Sequence, residues 1–217
     1  TSYSEYQAAF GTTFLSGSNQ FTFFTSISAY NYFQNGGSTL LVTRVTPEAF
    51  SPATSSYINT GSAGSTVTAN VSPFTLATLA DGNIMNSVGP SGTNGTLDSG
   101  SVDNFRWEIT NPSTSSGVFS LLLRQGDDTQ TSKQVVETYS NLSLDPLSTN
   151  YISKVIGDQV QTVRGTGVNV YLQSSGSYPN ASRFIRVASV DAQTPNYFDN
   201  AGNPKDIFTG SIPETQS

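Results

Sequence analysis

Two linked segments, Asn141-Leu-Ser-Leu-Asp-Pro146 and Tyr151-Ile-Ser-Lys-Val-Ile-Gly-Asp158, constrain the fold more than any other part of this chain. Pro146 lacks a backbone donor and pushes Asp145 out of the α region, so the chain must turn there. Ser148 and Thr149 are natural caps for the segment that follows. Ile152, Val155 and Ile156 recur at helical spacing. The stretch therefore reads as the end of a strand or helix, a proline-fixed turn, and a short amphipathic helix. No catalytic group is concentrated in it. Leu142, Leu144, Ile152 and Ile156 are expected to be buried, holding a joint between a β-rich region and a strand that starts near Val160.

The rest of the chain is mostly Ser, Thr, Gly and Asn. Charged residues make up 11% of it and the formal net charge is −6. Nucleic-acid binding needs a basic stripe to displace counterions, and the few Lys and Arg are scattered singly. No apolar run reaches the roughly 18 residues of a membrane span. The absence of His and Cys excludes Ser-His-Asp and Cys-His nucleophiles, His/Cys zinc sites and disulfides. Asp, Glu, Tyr, Lys and Ser are left for any chemistry. No signal peptide or initiator Met opens the sequence, as expected for a processed product or a piece of something longer. Many hydroxyls, 19 Gly and few charges suit a loop-rich β protein.

Residues 1–11 read as a helix: Ser2 and Glu5 have capping-box spacing, Tyr3, Tyr6 and Phe10 share a face, and Gly11 is a stop. Residues 21–34 read as a second helix with Phe23, Ile27 and Tyr30, and Phe24 beside them, as its apolar stripe. Asn35-Gly36-Gly37 ends it. Residues 39–45 read as a largely buried strand. Residues 46–65 form a loop and a candidate boundary, 66–71 a strand, and 87–102 a long loop. An Asp81-Gly82 turn is one reading of 74–86. Phe105, Trp107 and Ile109 alternate with Arg106, Glu108 and Thr110, which predicts a strand with an apolar face. Further strands are expected at 118–124, 132–140, 160–164, 168–173 and 183–190. After Ala192 the polar, Pro- and Asn-rich composition predicts an extended or partly ordered tail.

The expected class is thus α+β and β-rich. A small helix-helix-strand α/β unit (1–46) carries an inserted antiparallel barrel- or sandwich-like domain (47–190), followed by an extended tail or linker (191–217).

Each candidate for chemistry has a plainer structural reading. Asp127 and Asp128 are paired acids that suit general acid-base work or Ca²⁺ binding. Neighbouring side chains in a strand diverge, however, and beside Gly126 a turn fits better. Gly165-Thr-Gly167 lacks the third glycine and the βαβ context of a phosphate loop, and reads as a hairpin turn. Asn70, Asn94, Asn141 and Asn180 head glycosylation sequons that an Asn/Ser/Thr-rich chain produces by chance. Trp107 and the tyrosines could make a sugar-stacking platform, but Trp107 sits in an apolar alternation that suits core packing. No catalytic, cofactor-binding or metal-ligating residue is assigned.

Several blocks, in order, resemble the contractile tail sheath proteins of bacteriophages and related injection machines. Glu5-Tyr-Gln-Ala-Ala-Phe-Gly11 is similar to the family's helix ending in Phe-Gly. Ser28 to Gly37 followed by Leu40-Leu-Val-Thr-Arg-Val45 is similar to its Asn-Gly-Gly helix end and the strand after it. Leu79 to Asn86 is similar to another element, with Met85 where an aromatic is common. Phe119 to Arg124, then Glu137 to Pro146 and Tyr151 to Asp158, complete the match. The resemblance implies a non-enzymatic structural subunit. Such subunits form hexameric rings stacked around an inner tube, joined by strand addition between neighbours. Contraction repacks them and drives the tube through the host envelope. Implied partners are other sheath subunits, the tube protein and the baseplate, with no nucleic acid and no membrane insertion. The implied location is the virion, after synthesis in the bacterial host cytoplasm. The family's N-terminal arm and large C-terminal domain have no counterpart here, so an N-terminal-to-middle portion is expected. A β-rich adhesin or glycan-binding surface domain is the alternative. A two-carboxylate hydrolase is a third reading, without a converging acid pair in the sequence.

Overall fold

The computed structural model describes residues 1–10, 13–16, 18–43, 51–59, 72–80, 105–126 and 128–215. These form an α+β, β-rich protein of small antiparallel sheets, as expected, with no closed barrel among the described residues. The chain divides into two compact units. One comprises Thr1–Ala53, Ala80–Arg106 and Gln125–Ser132, the other Thr54–Leu79, Trp107–Arg124 and Lys133–Ser217.

The first unit opens with α1 (Tyr3–Phe10), β1 (Thr13–Ser16), β2 (Asn19–Thr22) and α2 (Phe24–Gln34). The capping box forms reciprocally: Glu5 N–H donates to Ser2 Oγ, and Ser2 N–H to Glu5 Oε2, each at 3.2 Å. Tyr3, Tyr6 and Phe10 stack along one face of α1. β1 and β2 form an antiparallel hairpin pairing Thr13 with Thr22 and Ser16 with Asn19. That hairpin takes Phe21 and Thr22 from the expected second helix, which starts at Phe24.

The buried face of α2 also differs from the expected stripe. Ser26 and Ala29 are buried, while Ile27 and Tyr30 are half exposed. The small residues let α1 come close, and Tyr3 Oη lies 2.9 Å from Ser26 Oγ. Asn35 and Gly36 stop α2 as predicted, with Gly36 at φ 87°. The buried strand expected over 39–45 does not form at 39–43. That segment has no regular structure, and Leu41 is 92% exposed. Arg44 and Val45 lie outside the described residues, as do the strand at 66–71, the Asp81-Gly82 turn and the loop at 87–102.

The second unit holds two three-stranded antiparallel sheets. In one, β4 (Phe74–Thr78) lies between β3 (Thr54–Ser56) and β10 (Ile185–Val190). In the other, β6 (Val118–Gln125) lies between β5 (Phe105–Ser113) and β7 (Val135–Ser143). Phe74 of the first sheet stacks on Phe119 of the second, with ring centroids 5.7 Å apart and planes 2° apart. Tyr57 and Trp107 pack on Phe74 as well, so Trp107 joins the aromatic core rather than a surface platform. Burying rings of this size is worth about 1.5–3 kcal/mol each. Ile109, Leu121, Leu123 and Val187 fill the remaining core.

After β7 come α3 (Ile152–Ile156), β8 (Val160–Arg164), a 3-10 turn (Gly167–Asn169) and β9 (Tyr171–Ser175). Among the described residues β8 and β9 pair only with each other, from Val160 opposite Ser175 to Arg164 opposite Tyr171.

The loosely ordered tail predicted after Ala192 is instead docked on this unit. Tyr197 and Ile212 are buried, and a one-turn helix, α4 (Asp206–Thr209), lies between them in sequence. Tyr57 Oη donates to the Glu214 carbonyl at 2.7 Å, and Asn59 Nδ2 to the Gly210 carbonyl at 3.1 Å. The anchors come from residues more than a hundred positions earlier, so local composition could not reveal them.

Candidate functional site: the joint at residues 141–158

The joint begins where β7 ends. Leu142 pairs with Phe119 and Ser143 with Val118, and Asn141 sits at φ 56°. Leu142 and Leu144 are fully buried. The Asp145 carboxylate then fixes the turn: Oδ1 accepts the Leu147 N–H at 2.9 Å and Oδ2 the Asn196 N–H at 3.1 Å. Lys154 reaches back from α3 and donates to the carbonyls of Pro146 and Ser148, both at 3.0 Å. The loop is thus held by a carboxylate on one side and an ammonium on the other.

α3 forms as predicted, with Ile152 and Ile156 fully buried. Its cap is not the one predicted. Tyr151 occupies the N-cap without a side-chain hydrogen bond. Ser148 Oγ is already used, accepting the Asn150 N–H at 3.1 Å, which closes the preceding turn. A parallel bridge between Ser143 and Tyr151 ties the helix start to the end of β7.

Gly157 ends α3 at φ 106° and ψ 155°, a region essentially restricted to glycine. The turn delivers two carbonyls to neighbouring chain. The Ile156 carbonyl accepts from Ala181 and Ser182 N–H, and the Gly157 carbonyl accepts from Val187 N–H at 2.8 Å. Asp158 and Gln159 then clamp the base of the β8–β9 hairpin. Tyr178 N–H donates to Asp158 Oδ1 at 2.7 Å. Asn180 accepts the Gln159 N–H at 3.0 Å and donates to the Gln159 carbonyl at 2.8 Å. One short stretch therefore links β7, α3, β10, the hairpin neck and, through Thr194 N–H to the Leu144 carbonyl, the tail.

Several carboxylates outside the joint are engaged structurally as well. Glu108, on the strand face expected to be polar, is buried. It accepts Arg124 Nη1 at 2.9 Å and Lys133 Nζ at 2.8 and 3.0 Å. The hint was the placement of Arg124 at the end of the apolar run 118–124, opposite the β5 strand that bears Glu108. Glu137 accepts from Tyr139 Oη at 2.8 Å, Ser182 Oγ at 2.6 Å and Arg183 N–H at 3.0 Å. Burial, and then the adjoining Glu137, push the Tyr139 hydroxyl up to about 12. Burial also pushes Tyr57 up to about 12. Asp128 is buried in the turn after β6. Its carbonyl accepts Arg106 Nη1 at 2.6 Å and its Oδ1 lies 3.6 Å from the same nitrogen. Its sequence partner Asp127 lies outside the described residues.

The other sequence candidates resolve as follows. Gly165 and Gly167, at φ 84° and 59°, shape the turn between β8 and β9. Both ends of the Asn180 amide are used in the hairpin clamp, where Nδ2 donates to the Gln159 carbonyl. Asn141 is exposed, while Asn70 and Asn94 lie outside the described residues. Among the described residues no acidic cluster suited to a metal ion occurs, and no helix is long and apolar enough to cross a membrane. What the geometry supplies is a mechanical link of buried apolar side chains, one tightly turned glycine and a set of hydrogen-bonded polar groups. No family model, curated protein or solved structure matches the chain.

Proposed function

We propose that this chain is a structural subunit of a contractile tail sheath, working in the virion. It assembles with copies of itself in stacked rings around an inner tube and repacks on contraction. The observation that carries this reading is the joint. The stretch with the most specific resemblance to sheath proteins is a buried link between sheets, with Leu142, Leu144, Ile152 and Ile156 fully excluded from solvent. A subunit that moves as a rigid body during contraction needs such links to transmit force without deforming. The low charge content and the carboxylates tied up by Arg, Lys, Ser and backbone donors fit a structural role better than acid-base catalysis.

The test is electron microscopy of the intact gene product expressed together with its tube protein. Rings or tubes of sixfold symmetry are expected. A monodisperse protein that forms no assembly and binds defined glycans on an array would overturn the reading in favour of a surface adhesin.

A further inference from the structure

Residues 192–215 lie along the second unit as a strap. Among the described residues they join no sheet. The strap is held at its two ends. At the root, Ala192 N–H donates to the Pro73 carbonyl at 3.2 Å and Thr194 N–H to the Leu144 carbonyl at 3.1 Å, and Asn196 N–H bonds the Asp145 carboxylate. Tyr197 is buried here, with its Oη on the Thr114 carbonyl. At the far end Ile212 is buried, Asn59 Nδ2 donates to the Gly210 carbonyl and Tyr57 Oη to the Glu214 carbonyl. Between the ends, the described hydrogen bonds of 198–209 stay inside the strap. Asp199 Oδ1 accepts the Ala201 and Asn203 N–H groups, both at 2.8 Å, and Lys205 N–H donates to the Tyr197 carbonyl at 3.0 Å.

Three buried side-chain atoms among the described residues have no hydrogen-bond partner: Asn59 Oδ1, Ser72 Oγ and Thr194 Oγ1. All three belong to the strap or to the residues that hold it. Ser72 precedes Pro73, whose carbonyl accepts the root amide. Thr194 sits in the root and is fully buried. Asn59, also fully buried, grips the far end. A polar atom buried without a partner forfeits its hydration, so native structures hold few of them. Docking of the strap incurs that cost at both ends, and undocking into water relieves it.

We propose that residues 192–215 form a releasable strap, which opens as one unit while both sheets of the second unit stay folded. Burial of Tyr197 and Ile212 favours the docked state, and the three unpaired oxygens oppose it. The open state therefore lies closer in free energy to the native state than the unfolded sheets do. The internal hydrogen bonds at 198–209 let the strap leave without unfolding its middle. Opening has a defined consequence at the joint. It frees the Leu144 carbonyl and Asp145 Oδ2, while Asp145 Oδ1 keeps the Leu147 N–H. The strap thus sets how firmly the turn at Asp145 is held. This inference goes beyond the sheath reading and does not depend on it.

Amide hydrogen exchange of the 217-residue chain in low urea, read by NMR, tests it. The Thr194 and Asn196 amides bond across to the joint. They are expected to exchange together, roughly tenfold or more faster than the most protected amides of β4 and β6, and with a weaker urea dependence. Thr194→Val keeps the side-chain shape and deletes the unpaired hydroxyl. It should slow exchange of the Asn196 amide and its own residue-194 amide by roughly fivefold or more. Exchange of these amides at the rate and urea slope of the β6 core overturns the proposal, since strap and sheets then open only together. Unchanged or faster exchange in Thr194→Val also overturns it, since the docked hydroxyl then carries no cost. Ring formation in the microscope is independent of these results, so the two readings fail separately.

Discussion

Replacing Gly157 with alanine probes the joint at its least tolerant point. At φ 106° and ψ 155° the backbone lies where a side chain costs about 1–3 kcal/mol. The added methyl would also collide with the Asn180 Cα and come within 2.7 Å of the Pro179 carbonyl oxygen. These are backbone atoms, so no rotamer change relieves the clash. The 179–182 segment must shift instead, which weakens the Ala181 and Ser182 bonds to Ile156 and the Gln159–Asn180 pair. Losing two or three such bonds adds about 1–3 kcal/mol. The expected total is about 2–6 kcal/mol, a large share of a domain's typical 5–15 kcal/mol. Gly202→Ala is the matched control: φ is 84° there, but nothing lies within 4 Å of the added methyl. It should cost only about 1–2 kcal/mol of left-handed strain. Urea unfolding followed by circular dichroism reads both. With m of about 2 kcal/mol/M, Gly157→Ala should lower the midpoint by about 1–3 M and Gly202→Ala by about 0.5–1 M. Equal shifts for the two variants would refute the argument that the joint is closed by a backbone contact at Gly157.

Tyr197 anchors the tail: its Oη donates to the Thr114 carbonyl at 2.6 Å and its ring lies over Gly117. Tyr197→Phe should cost about 0.5–1.5 kcal/mol in a thermal melt and speed proteolysis after residue 192. Glu108→Gln removes the buried carboxylate that Arg124 and Lys133 share and should cost about 1.5–3 kcal/mol in urea unfolding. Lys133→Ala removes the more exposed partner and should cost about 1 kcal/mol or less in the same measurement. The chain should also lose stability in alkali. Tyr57 and Tyr139 hold their protons to about pH 12 when folded, against a usual value of 10.0. The unfolded state therefore binds fewer protons in this window. Stability present below pH 10 should fall as pH rises from 10 towards 12, as read by urea midpoints across that range. A flat profile would contradict the buried placement of these hydroxyls.

Local periodicity and turn chemistry made much of the second unit legible. The alternation at Phe105, Trp107 and Ile109 marked β5, the Gly165-Thr-Gly167 turn marked the β8–β9 hairpin, and Pro146 with the Ile152/Ile156 spacing marked the joint. What was missed depended on distant neighbours. On α2 the large residues face outward because α1 packs on Ser26 and Ala29, a preference invisible in an apolar pattern. Glu108 alternates as a surface residue would, and only the arrival of Arg124 and Lys133 makes its burial tolerable. The tail's anchors, Asn59, Tyr57 and Thr114, lie far back in the chain. Segment 39–43 shows the reverse error. An apolar run that suits a buried strand carries Leu41 almost fully exposed, because no described strand pairs with it.

The proposed sheath role requires a rigid subunit whose joint survives a change of assembly. Cryo-electron microscopy of the intact gene product in extended and contracted assemblies tests it most directly. Rings are expected in both states, with the Gly157–Val187 hydrogen bond and the burial of Leu144 and Ile156 preserved while contacts between subunits change. Failure to assemble, or a joint that opens between the two states, would contradict it.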